Sequence, residues 1–70
     1  VSDYLRIKNR FTYHPPKGDQ VERYESIREN GKVTAMTFED LCPASPELTM
    51  AINHIDQAVM WANAAIARNE

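Results

Sequence analysis

The sequence predicts an all-α fold: an antiparallel helical hairpin with a short N-terminal arm, assembled into a homo-oligomer. Three observations carry that reading. Residues 45–70 form one uninterrupted helical pattern. Its apolar residues Leu48, Ile52, Ile55, Val59, Ala62 and Ile66 alternate steps of four and three, the spacing of a coiled-coil seam. A second long helical pattern, Gln20 to Leu41, lies just ahead across residues 42–44, and so short a link turns two helices antiparallel. The chain has 70 residues, one small domain at most. Chains near this size bury only about 60% of their unfolded surface, and disulfides, metal or association supply what the core does not.

Residues 1–18 read as the arm and residues 19–70 as the hairpin, a single domain. The arm mixes basic and aromatic residues: Tyr4, Arg6, Lys8, Arg10, Phe11, Tyr13 and His14. Pro15 and Pro16 end any helix there. Lys17, Gly18 and Asp19 make a turn, with Asp19 as the expected N-cap and Glu22 completing a capping box. The first long helix then carries the apolar line Val21, Tyr24, Ile27, Ala35, Phe38 and Leu41. Gly31 interrupts that line at about 1 kcal/mol against alanine, and the β-branched Val33, Thr34 and Thr37 weaken the helix further. Two readings of Gly31 stay open: a bent, locally loose helix, or close approach of a neighbour or ligand.

In the second helix Ser45 caps the start and Pro46 takes the favoured first position. Glu47 and Arg68 complement the two ends of the helix dipole. At 1.5 Å per residue each hairpin arm is roughly 35 Å long. Ala51, Ala58 and Ala65 step by seven beside the seam, where small residues admit another helix. Met50 and Trp61 lie off both rows. One partner helix cannot cover so much apolar surface, so further copies of the chain are expected to cover it.

Net charge is −2, which gives no strong pull on DNA or RNA. No apolar run spans a membrane, and no signal peptide or lipidation motif is visible, so a soluble cytosolic protein is expected. The single cysteine, Cys42, excludes an intrachain disulfide and a multi-Cys zinc module; it is expected as a packed, inert thiol. His14 and His54 lack partners at metal-ligand spacing. Glu39 and Asp40 diverge on their helix and make a poor acid–base pair. Two distant glycines form no phosphate loop. Neither an enzyme nor a cofactor is expected.

Binding fares better. Phe11, Tyr13 and His14 offer flat faces for a nucleobase, and Arg10 and Lys17 beside them can hold phosphate. Arg23, Arg28 and Lys32 extend the basic supply, although Glu22, Glu25 and Glu29 supply ordinary surface ion pairs. Tyr13 reads either as a ligand face or as an apolar anchor docking the arm. Arg68 reads either as a helix-end cation or, with copies around an axis, as part of an anion-binding cluster.

The strings RFTYHPPKGDQVERYESIR (residues 10–28) and LCPASPELTMAINHIDQAVMWANAAIARNE (residues 41–70) resemble the helical-hairpin cyclic-nucleotide sponges of bacteriophages, the anti-CBASS protein 2 family. The phage anti-Thoeris sponge carries a related hairpin domain. The likeness runs from Asn9 to the end; residues 29–40, with Gly31, Val33 and Thr34, are less typical. The resemblance implies a compact hexamer that holds cyclic oligonucleotide messengers intact and blocks activation of CBASS effectors, in the cytoplasm of an infected bacterial host. Cyclic dinucleotides such as 3',3'-cGAMP would sit between paired protomers, and cyclic trinucleotides such as cA3 on a three-fold axis. Tyr13, just before the His-Pro-Pro, would stack on a base of the dinucleotide. Arg28, fifteen positions on, would contact its phosphate. Arg68, in the terminal IARN, would hold the trinucleotide. The residues by themselves also allow a structural hairpin oligomer or a protein-interaction module whose free apolar face takes a partner helix.

Overall fold

A computed structural model of the chain describes residues 2–70; Val1, where the expected arm begins, lies outside them. Three helices follow in order: α1 (Ser2–Arg10), α2 (Gln20–Leu41) and α3 (Pro46–Asn69). Helices α2 and α3 pack on each other as the hairpin. Contacts along it fix the antiparallel order. Arg23, at the start of α2, meets Glu70 beyond the end of α3. Gly31, midway along α2, meets Val59 and Ile55.

The arm is more regular than its sequence implies, because α1 is a helix. Asp3 lies in its first turn and Lys8 and Arg10 in its last, matching the dipole. Asp3 also pairs with Arg6 one turn on. The Phe11 N–H donates to the Ile7 carbonyl at 3.2 Å, and Thr12 Oγ1 donates to the Lys8 carbonyl at 2.6 Å. These bonds satisfy acceptors that the helix end leaves open. Residues 13–17 then run without regular structure through the two prolines. Gly18 turns the chain at φ +58°, a left-handed value that glycine adopts without a Cβ penalty.

The expected capping box at Asp19 does not form. Asp19 sits at φ −89°, ψ 13°, away from the extended geometry of a cap, and its side chain makes no capping bond. Its carboxylate turns to Arg23 at 3.2 Å. The turn is closed by Gln20 instead: the Lys17 N–H donates to Gln20 Oε1, and the Gln20 N–H donates to the Lys17 carbonyl, both at 3.1 Å. Ser45 does cap α3. It is extended (φ −167°, ψ 161°), and its Oγ accepts from the Leu48 N–H at 3.1 Å.

Helix α2 runs unbroken through Gly31. Of the two readings of that glycine, close approach is the one realised, and the neighbour is α3. A Cβ there would collide with Cγ2 of Val59, with Val59 Cβ at 3.8 Å and Ile55 Cγ2 at 3.9 Å. Gly31 therefore continues the half-buried line Tyr24, Ile27, Gly31, Ala35. Val21 and Leu41, expected on that line, are exposed; each lies roughly 80° around the helix from its middle at 3.6 residues per turn. Phe38 is partly exposed near the hairpin tip.

All six seam residues of α3 are buried or half-buried, while Met50 and Trp61 (60% exposed) face away. Cys42, expected packed, is exposed at the tip, in the four-residue link 42–45 that joins α2 to α3. Leu48, at 7% exposure, is the one buried apolar side chain among the described residues. The accessible surface is 5708 Å², against about 4,450 Å² for a globular monomer of this mass. The radius of gyration is 15.4 Å, against about 11 Å for a compact chain of this length. The least dimension is 13 Å, the thickness of a single helix layer. Domains ordinarily bury apolar faces between two layers, and this chain supplies one. No described helix is long and apolar enough to cross a membrane.

Candidate functional site

The arm lies across the open end of the hairpin, and polar bonds hold it there. Asn9 Nδ2 donates to the Arg68 carbonyl at 3.1 Å, one of the last carbonyls of α3 that no intrahelical bond reaches. The Asn9 carbonyl accepts from His14 Nε2 at 2.9 Å. Lys17 Nζ donates to the Glu70 carbonyl at 2.7 Å. The Glu70 carboxylate accepts from Gln20 Nε2 at 3.2 Å and from both terminal nitrogens of Arg23, one of them at 2.9 Å. Hydrogen bonds from Arg23 and then Gln20 pull the Glu70 carboxyl down to about 2. The same bond raises Arg23 above its ordinary value, so the pair is ionised at neutral pH.

Beside this junction is a groove of about 350 Å³. Tyr13 and Arg28, 15 residues apart, both line it; Arg10, Tyr24, Asn63 and Arg68 complete most of its wall. Tyr13 is 79% exposed, which removes its reading as an apolar anchor. Arg10, Arg28 and Arg68 have no carboxylate within ion-pair distance among the described residues. No carboxylate lines the groove, although the whole chain carries net charge −2. Its field is locally positive against that background.

A larger cavity of about 600 Å³ opens on the other side of Arg10 and Arg68, where Arg6, Asn9 and Asn69 join them. Its one acid, Asp3, is engaged by Arg6. Arg68, expected apart from Tyr13 and Arg28, thus lines both spaces, as does Arg10. Lys32 pairs with Glu29 at 4.0 Å, away from the groove, and Arg23 is taken by Asp19 and Glu70. Lys32–Glu29 is one of the surface ion pairs the sequence allowed, whereas the partners of Arg23 are Asp19 and Glu70 in place of Glu22 or Glu25.

Tyr24 and Asn63 are among the lining residues that the sequence reading did not single out. Tyr24 was absorbed into the apolar line of α2. Asn63 follows the seam residue Ala62, and its Oδ1 is buried without a donor among the described residues. A lone polar side chain in the alanine-rich stretch of residues 62–67 was its only signal.

These groups are equipped to bind. An exposed phenol offers a face to a flat base, and guanidinium forks match phosphate oxygens two at a time. No described cluster of His, Cys, Asp and Glu has the makings of a metal site. The site and fold together are a one-layer helical hairpin with an aromatic, cationic groove at its open end. The chain belongs to the Acb2/Tad1 hairpin domain family, whose pattern spans residues 3–67. That is a family of sponges rather than enzymes. No curated protein and no solved structure matches the chain.

Proposed function

We propose that this protein sequesters cyclic oligonucleotide second messengers without cleaving them, and so keeps CBASS effectors inactive in the cytoplasm of an infected bacterium. The observation that carries the reading is the meeting of Tyr13 and Arg28 in one groove that no carboxylate lines. A cyclic dinucleotide such as 3',3'-cGAMP stacks a base on Tyr13 and gives a phosphate to Arg28. A cyclic trinucleotide such as cA3 uses Arg68 from the side of the larger cavity, where Arg6 and Arg10 add positive charge. Residues 1–18, the arm, bring Tyr13 to the ligand, and residues 19–70, the hairpin, bring Arg28 and Arg68. The uncovered apolar faces of α2 and α3 support assembly of several copies, six in the closed form proposed.

Titration calorimetry tests this. Base stacking on an aromatic ring is worth about 1–3 kcal/mol, so Tyr13→Ala lowers 3',3'-cGAMP affinity by about 5- to 150-fold and spares cA3. Arg28→Ala weakens the dinucleotide alone. Arg68→Ala removes cA3 capture and, because Arg68 lines both spaces, weakens the dinucleotide to a lesser degree. Absence of heat with every cyclic nucleotide overturns the proposal. It would favour the second reading, a protein-interaction module, for which the exposed Met50, Met60 and Trp61 speak.

A further inference from the structure

We infer that the end of α3 holds the arm in its capturing position, with Asn9 and Glu70 as positioning residues for Tyr13. This rests on the reading of Tyr13 as the base-stacking residue. The Tyr13 ring has little contact of its own to fix it, being largely exposed. It stands in a stretch with no regular backbone structure, residues 13–17. What orders that stretch lies on either side of it, and both fixings end on the last residues of the chain. Upstream, Asn9 bonds the Arg68 carbonyl and is tied to His14, the neighbour of Tyr13. Downstream, Gln20 joins the Lys17 N–H to the Glu70 carboxylate, Lys17 Nζ reaches the Glu70 carbonyl, and Arg23 grips the same carboxylate.

Gln20 is only 3% exposed, the single buried polar residue among those described. Its amide is satisfied at both ends by this junction, and each missing partner would leave a buried group unpaired. Between the two fixings, Pro15 and Pro16 restrict φ, so the segment swings chiefly as a unit. Releasing either fixing lets the arm leave the groove without altering any group that touches ligand. The apparent dissociation constant then rises in inverse proportion to the fraction of capture-ready arm that remains. The loss falls on association, since the bound contacts are unchanged.

The test uses the full chain with Asn9→Ala and Glu70→Ala, and reads two quantities. The first is amide hydrogen exchange across residues 11–19 without ligand. Each variant is expected to exchange at least fivefold faster there, with the middles of α2 and α3 unaltered. The second is 3',3'-cGAMP binding kinetics. Each variant is expected to bind at least fivefold more weakly through a lower kon with koff unchanged, and to cause no further loss in a Tyr13→Ala background. Unaltered exchange overturns the inference whatever the ligand does. Faster exchange with unchanged kon, or a full additional loss in the Tyr13→Ala background, also overturns it, since either makes the contacts purely structural. A wild-type chain that captures no cyclic dinucleotide overturns the sponge reading itself and the role of Tyr13 with it; the exchange data distinguish that failure from a freely moving arm.

Discussion

Replacing Gly31 by alanine sets two opposed effects against each other, and the geometry decides between them. In an open helix interior the change stabilises by about 1 kcal/mol through helix propensity. Here the added carbon would collide with Val59 Cγ2. A helical valine is held in one strongly preferred rotamer, so the relief must come from separating α2 and α3. Overpacking of that kind costs about 1–3 kcal/mol. The balance is a loss of about 1 kcal/mol, or a Tm about 4–8 °C lower for a domain of this size. Urea unfolding followed by helical circular dichroism, at one fixed protomer concentration, measures it. Trimming the obstacle supplies the control: with Val59→Ala already present, Gly31→Ala becomes stabilising by up to about 1 kcal/mol. A stabilising Gly31→Ala in the unmodified chain, or equal effects in the two backgrounds, would refute the close-approach argument.

The remaining predictions are independent of it. Ser45→Ala removes the cap on the Leu48 N–H and lowers the unfolding free energy by about 1 kcal/mol, whereas Asp19→Ala, which caps nothing, costs distinctly less in the same assay. The Glu70 carboxyl, held near 2 by Arg23 and Gln20, lies below its unfolded value of about 4.3. Its stabilisation is therefore complete above that pH and disappears as pH falls toward 2. Unfolding midpoints of wild type and Glu70→Gln differ at pH 7 and converge on acidification; a constant gap would show that the carboxylate contributes nothing specific. Trp61→Ala, at an exposed position on α3, shifts the sedimentation profile toward smaller species, and an unchanged profile places Trp61 outside any contact between copies.

Periodicity made the seam legible. Leu48, Ile52, Ile55, Val59, Ala62 and Ile66 all face inward because one repeating step dictates one face. The start of α3 was equally plain, since Ser45-Pro46 is a local signal that needs no distant partner. Gly31 was ambiguous for a physical reason: a glycine that interrupts an apolar line and one that brings helices together look the same until Val59, 28 residues on, is opposite it. At Asp19 the motif was present and the geometry was not, because Gln20 closed the turn first. Helix α1 escaped notice because it is only nine residues long and polar on average, too short to stand apart from a loop. The site was less legible still. Tyr13 and Arg28 are brought together by the irregular run through Pro15 and Pro16 and the turn at Gly18, which no periodicity describes, and they were singled out by the likeness to a family. Arg23 and Glu70, 47 residues apart, gave no signal.

A slab one helix thick has no inside of its own, and Leu48 alone is shielded from water among the described apolar side chains. If copies of the chain supply the missing covering, folding and assembly become one process, and mass action governs both. The melting point should climb with protein concentration, and dilution should act as a denaturant. For the proposed role of outnumbering a scarce messenger, that sets a threshold: below a certain abundance there are only vulnerable, half-finished chains, and above it the traps appear together.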